Sequence, residues 1–397
     1  MTAVGTIARI HPGRAFPSAA LHDQAERREL FARAWTLELA FVVLVALGLA
    51  LVWSASSPMA LERHESGTYF LWKQARWAAL AVSAFWIASR LPMRAIELLA
   101  WVALPASVVA LAALLIPGVA DPHGGATRWV TLGGFSIQPA EPAKVALVMT
   151  LAAWLARLPA PSARTTLAVL AAAAVPAGLV YLEPDLGTAV ILAASAFGLL
   201  FLAGAEPRHL LSVVAAAIPA LAWSMIHEPY RVRRLIAFWH PWEYARTLGY
   251  QIVQSFVAFG SGGVLGRGLG GGTQKLFYLP ESHTDFVFAV VGEEMGFVGV
   301  LSVTVLFLSL VLLGARVARA SRDRFGFLLA AGLTALIGLT AAANMAVTMG
   351  LVPTKGLALP FLSYGGSALV SNAVALGLVL AVNRSALAPQ VSRGGGS

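Results

Sequence analysis

Apolar residues gather along this chain in ten long runs, and polar residues gather in the gaps between them. The runs lie at about 35–54, 77–92, 97–117, 141–157, 165–181, 187–203, 209–226, 286–313, 326–350 and 367–383. Runs of roughly 20 residues match the helix length that crosses a hydrocarbon core. The pattern predicts an all-α polytopic membrane protein of about ten transmembrane helices, with a long outer loop between spans 7 and 8. It divides the chain into a basic cytoplasmic segment at 1–34, a single membrane domain at 35–385 and a cytoplasmic tail at 386–397. Within the domain, 227–285 forms a large extracytoplasmic loop. Its stretch from Gly249 to Phe259 places apolar residues at helical spacing with Gln251 and Gln254 on another face, which predicts a short amphipathic helix at the membrane.

Composition agrees with the pattern. The chain is 58% hydrophobic and 12% charged, about half the charged share of a soluble domain, which excludes a soluble α/β enzyme. It has no cysteine, so neither a disulfide framework nor a thiolate metal site is available. A net charge of +9 would suggest nucleic acid in a soluble protein. Here the excess is arginine in short loops, which fixes orientation, and no nucleic-acid partner is expected. An even number of spans puts both termini on one side. Arg27, Arg28, Arg90, Arg94, Arg157, Arg316, Arg319 and Arg384 then fall inside with the termini. No small-residue cleavage site follows the basic N-terminal segment, so no cleavable signal peptide is expected.

The two faces differ in kind. Inner loops are short and arginine-rich. Outer loops hold most of the Gly, Pro, His, Asp and Trp, as in Asp121-Pro122-His123-Gly124-Gly125, the 227–285 stretch and Pro353 to Gly366. Accumulation in several separate loops on one side implies a site assembled there. The glycine-rich run Gly260 to Gly272 is no nucleotide loop, because no strand precedes it and no Gly-Lys-Ser/Thr ends it. It reads as flexible backbone packed against a cavity.

Four stretches carry a resemblance. They are Arg128-Trp129 with Gln138-Pro139-Ala140-Glu141-Pro142-Ala143-Lys144; Glu183-Pro184-Asp185-Leu186-Gly187-Thr188-Ala189; Lys275 through Pro280-Glu281-Ser282-His283-Thr284-Asp285-Phe286; and Pro353-Thr354-Lys355-Gly356 with Pro360 through Ser363-Tyr364-Gly365-Gly366-Ser367. Together they resemble the SEDS family of membrane peptidoglycan glycosyltransferases, which includes FtsW and RodA. The Pro-Thr-Lys-Gly form looks like the FtsW, or division, branch. Glu183 replaces the family's usual glutamine, and Ala140 and Pro142 also depart from its pattern, while the carboxylate and lysine positions are kept. The resemblance implies ten spans, a place in the bacterial inner membrane and division septum, and an inverting glycosyl transfer. Its substrate would be lipid II, a disaccharide-pentapeptide on a polyprenyl pyrophosphate. Its partners would be a class B penicillin-binding protein and other divisome membrane proteins.

The residues supply roles for that chemistry. Attack by a sugar hydroxyl needs a base, and Asp285 at the mouth of the eighth span suits either that role or a helix N-cap. The resemblance implies the base. His283 is the rival base, or binds substrate, or is a solvated loop histidine. A leaving pyrophosphate needs cations, for which Lys355, Arg128 and Lys144 stand on the outer side. Lys355 reads otherwise as a snorkelling lysine, and Arg128 as an interfacial anchor beside Trp129. Glu141 and Lys144 share one helix face and either line the cavity or neutralise each other. Arg231 and Arg234, in the Tyr230–Arg234 cluster, are placed to meet head groups or pyrophosphate. Gln254, Ser363 and Tyr364 complete the substrate-binding set. Asp185 caps the sixth span or binds substrate. Adjacent Glu293 and Glu294 point apart, so at least one faces the cavity or a basic partner. No cofactor is indicated, and a divalent cation is left open. Two other functions compete: a lipid II flippase, which would need polar machinery at both faces, and a non-catalytic division scaffold, which would need none of these charged residues.

Overall fold

The computed structural model describes residues 19–123, 126–227 and 229–387. Side chains at 19–27, 122–123, 126–127, 132, 220–221, 224–225 and 230–231 lie outside the description, as do residues 1–18, Gly124, Gly125, Glu228 and the tail from 388. A helix stands at each of the ten apolar runs. In chain order these are α1 (Ala19–His64), α2 (Tyr69–Ala88), α3 (Met93–Leu114), α4 (Ala140–Ala156), α5 (Ala163–Leu182), α6 (Leu186–Leu202), α7 (Pro207–Ile226), α10 (Val287–Arg319), α11 (Arg324–Thr348) and α12 (Gly366–Leu387). Two shorter helices, α8 (Pro229–Trp239) and α9 (Tyr250–Gly262), lie between α7 and α10. Among the described residues, six helices are long and apolar enough to cross a membrane: α1 from Arg28 onward, α3, α5, α10, α11 and α12.

The all-α expectation needs correction. Between α3 and α4 the chain forms an antiparallel sheet of β1 (Asp121–His123), β2 (Ala126–Leu132) and β3 (Phe135–Ile137), in that order. Its register pairs Asp121 with Trp129 and Val130 with Ile137. Gly133 and Gly134, with φ of 56° and 83°, make the tight turn between β2 and β3. Two positive φ values in succession suit a primed hairpin turn, which only glycine and a few polar residues adopt readily.

Contacts between helix termini show that the bundle has two distinct ends. At one, Arg157 closing α4 meets Glu97 in the first turns of α3 at 2.9 Å. Arg384 near the end of α12 meets Glu38 of α1 at 2.8 Å. Arg324 opening α11 donates to the carbonyls of Pro159 and Ala203, after α4 and α6. At the other end lie the sheet, α8, α9 and the loops before α10 and α12. Helix α4 is buried almost along its length. Small residues let neighbours approach: Gly377 of α12 lies against the backbone of Phe85 in α2, and Gly314 of α10 against Thr334 of α11. Van der Waals packing of this kind holds helices together where lipid supplies no hydrophobic drive.

Helix α10 is broken. Gly296 has φ 63° and ψ −161°, far from helical values, and the run Gly262–Gly268 fills the gap. Arg267 and Gly268 donate backbone N–H bonds to the carbonyls of Glu293 and Glu294, both at 3.0 Å. Phe297 and Val298 donate in turn to Gly263 and Val264 at 2.9 and 3.1 Å. A Cβ at Gly266 would stand 2.1 Å from the Glu294 carbonyl oxygen, so glycine is required for the strand of chain to enter. The glycine run therefore completes a helix where sequence reading expected flexible backbone.

Candidate functional site

The sheet-bearing end gathers residues of all four motifs around Asp285. Asp285 closes the loop before α10 and is half-buried. Asn344, near the end of α11, donates through its side-chain amide to the carbonyl of Asp285 at 2.8 Å and to that of Leu357. One buried amide thus ties the aspartate's backbone to the 353–357 loop. A Cβ on Gly356 would stand 3.0 Å from Asp285 Oδ2, so this loop passes directly over the carboxylate, with half-buried Lys355 immediately before that glycine. Leu357 in turn packs against Gly187 at the start of α6.

Asp185 caps α6. Its Oδ1 accepts the Thr188 backbone N–H at 3.0 Å and its Oδ2 accepts the Thr188 hydroxyl at 2.9 Å. Arg128, reaching from β2, donates to the carbonyls of Glu183 and Pro184 at 2.8 and 2.6 Å. It also lies 3.8 Å from Asp185 Oδ2. The guanidinium therefore fixes the α5–α6 turn, which narrows its expected use as a free cation. Glu183 is buried, and neither carboxylate oxygen has a hydrogen-bond partner among the described residues.

Electrostatics set these acids apart. Burial, with the charges of Glu281 and Asp185 added and Arg128 opposing, pushes Asp285 up to about 7. Burial and Asp185 likewise push Glu183 up to about 7, again against Arg128. A carboxyl poised near neutrality is suited to exchange a proton at working pH. His283 is shifted the other way: burial lowers it, Glu281 opposes and Arg63 adds. Its ring lies 5.3 Å from Phe70 and 5.5 Å from Tyr364, and its carbonyl accepts the Tyr364 N–H at 2.8 Å. Packed so, His283 braces the loop that carries Asp285.

Other expected residues fall near the site in differing roles. Arg234 of α8 reaches the Thr354 carbonyl at 3.5 Å, joining that helix to the lysine loop, whereas the side chain of Arg231 lies outside the description. Gln254 is half-buried on α9, whose Ile252, Val253 and Ala258 are buried. Ser363 is buried and its hydroxyl accepts the Leu359 N–H at 2.8 Å, so it staples its own turn. Lys144 and Glu141 form a buried pair at 2.9 Å, the self-neutralising arrangement of the two that sequence left open. Glu141 Oε2 has no partner among the described residues.

Reasoning from sequence missed Lys275 as an ion-pair residue. Its ammonium bonds Glu294 at 2.6 Å and the Ser54 hydroxyl at 2.9 Å, and Ser54 also donates to Glu294. Glu293 accepts the N–H groups of Thr273 and Gln274. The apolar span around two acids signalled that partners had to exist, but not which. Among the described residues no group of three or more His, Cys, Asp or Glu is placed to hold a metal ion.

Comparison with known proteins gives the family and the fold. A family described as FTSW_RODA_SPOVE, cell cycle protein, matches residues 34–387. A probable peptidoglycan glycosyltransferase FtsW of Geobacter metallireducens is 42% identical over 352 residues, covering 86% of this chain and 92% of that protein. Its counterpart in Alkalilimnicola ehrlichii is 44% identical over 367 residues, covering 90% and 91%. Among solved structures, a chain of a peptidoglycan synthase complex that coordinates polymerization and crosslinking superposes with a TM-score of 0.75 at 30% identity, covering 88% of this chain and 97% of that one. The rod shape determining protein RodA of Thermus thermophilus gives 0.65 at 30% identity, covering 88% and 96%.

Proposed function

Because this chain belongs to the FtsW/RodA/SpoVE family of cell cycle proteins, we propose that it polymerises lipid II into glycan strands on the outer face of the bacterial inner membrane, during division. In this reading all ten long helices span the bilayer. The arginine-rich end with both termini is cytoplasmic, and the end bearing the sheet is periplasmic. The observation that carries the reading is the passage of the Lys355 loop over Asp285, two residues 70 positions apart in sequence.

The chemistry follows from that meeting. The 4-hydroxyl of an acceptor sugar attacks the anomeric carbon of the donor, forming the glycosidic bond with inversion. Asp285 takes the hydroxyl proton. The bond to the lipid pyrophosphate breaks, and that group leaves with the electron pair while Lys355 meets its charge. Arg128 and Asp185 act as positioning residues, holding the α5–α6 turn against the lysine loop. Arg234, with Arg231 on the same helix, serves the lipid head group from α8. Gln254 and Tyr364 border the acceptor, and the Glu141–Lys144 pair supports the same end of α4. Family likeness to a synthase complex supports a class B penicillin-binding protein as partner, which would cross-link the strands, along with other division proteins.

The test is direct. The purified protein with its cognate penicillin-binding protein should convert lipid II to glycan strands, and Asp285→Ala should bind lipid II without polymerising it. Polymerisation at the wild-type rate by that variant would remove Asp285 as base. Movement of lipid II across vesicle bilayers without polymer would favour the flippase instead.

A further inference from the structure

At the arginine-rich end of the bundle a cavity of about 650 Å³ opens between the start of α1 and the end of α10. Glu29, Arg33 and Thr36 line one side; Leu313, Arg316 and Arg319 line the other. Arg33 is committed to Glu29 at 2.9 Å. Arg316 and Arg319, both exposed, have no carboxylate partner among the described residues. Four other arginines at this end are answered within the protein: Arg157 by Glu97, Arg384 by Glu38, Arg324 by two carbonyls, and Arg90 by the Trp86 ring at 4.6 Å. Arg319 donates only to the Ala315 carbonyl of its own helix, at 3.4 Å.

Their setting is amphipathic. Arg316 and Arg319 stand three apart in the last turn of α10, on neighbouring positions of one face, where the helix dipole favours positive charge. Leu39, Leu308 and Leu312 on the same two helices are each more than half exposed, a surface for hydrocarbon. Phe31 and Trp35, also exposed, pair edge to face at 6.2 Å on α1 beside Arg33, as aromatic residues do at the depth of lipid head groups. Guanidiniums bind phosphate oxygens in a planar, two-pronged fashion. A free anion would need only the cations, whereas a phospholipid also uses the apolar wall.

We propose that this cavity binds the phosphate head group of an anionic phospholipid from the cytoplasmic leaflet, with its acyl chains along Leu39, Leu308 and Leu312. The proposal uses the orientation assigned above and is independent of Asp285 and of glycosyl transfer.

Native mass spectrometry of the detergent-purified full chain, titrated with phosphatidylglycerol, tests it. Removing two basic residues from an anionic lipid contact costs roughly 30-fold in affinity, so Arg316→Gln with Arg319→Gln should reduce bound lipid by about that factor. Leu313→Trp, which fills the cavity and changes no charge, should also reduce it, and decides the matter if the arginine variant fails to insert. Phosphatidylcholine should bind more weakly, and equimolar inorganic phosphate should not displace phosphatidylglycerol. Unchanged lipid retention in Leu313→Trp overturns the proposal, since the arginines would then act only as diffuse charge. Equal binding of phosphatidylcholine, or displacement by inorganic phosphate, overturns it as well.

Discussion

A buried pair of carboxylates within α10 and a half-buried one just before that helix are treated in opposite ways. Glu293 and Glu294 are surrounded: backbone N–H groups of Thr273 and Gln274, the Ser54 hydroxyl and the Lys275 ammonium all donate to them. Asp285, only eight residues earlier, sits among acids instead, with Glu281 and Asp185 both pushing its proton affinity up. Glu183 nearby has neither oxygen answered among the described residues. A carboxylate supplied with donors is spent on holding backbone together. One starved of donors and crowded by like charge keeps its proton chemistry available. On the proposed function, the contrast separates the carboxylates that hold structure from the one assigned to the reaction.

The comparison breaks most sharply at Asp285. Its replacement by alanine should lower polymerisation of lipid II by about 10²- to 10⁴-fold, the range for loss of a general base, while the melting temperature holds. A fall in melting temperature of several degrees would move Asp285 into the architectural group. Lys275→Met should do the reverse, stranding Glu294 in the interior at a cost of about 3–5 kcal/mol, read as a lower melting temperature in detergent. An unchanged melting curve would show that this ion pair holds nothing.

The pH profile sharpens the same contrast. With Asp285 near 7, the ionised base becomes scarcer as pH falls below that value, so the rate should drop toward tenfold per pH unit. A flat profile from pH 5 to 8 would contradict the raised proton affinity. The smallest effect is expected from Glu281→Gln. It removes one exposed like charge, so the midpoint of that profile should move to lower pH by an amount that salt reduces. A midpoint that stays fixed would leave burial and Asp185 as the causes.

Much of the fold was legible because a long apolar run has few alternatives to a helix, and the α9 spacing was equally plain. The strands were not. Residues 121–137 combine glycine, proline and aromatic residues without a clean alternation, and their pairing depends on the positive φ of Gly133 and Gly134. Within the site, Asp285 and Lys355 were identified through their motifs, and their meeting was expected. That Arg128 would bond the carbonyls of the α5–α6 turn was beyond reach, because backbone acceptors leave no trace in composition. Lys275 was hidden for a related reason: its partners Ser54 and Glu294 come from distant helices. Local pattern reveals which charges must be answered and stays silent about who answers them.

The interruption at Gly296 also bears on how the chain is made. Once inside hydrocarbon, the bare peptide groups of a broken helix would have no water to turn to. The segment that supplies their bonds, around Gly266, leaves the ribosome thirty residues before Gly296 does. Biosynthesis therefore delivers the plug ahead of the hole, and the eighth long helix need never wait unfinished in the lipid.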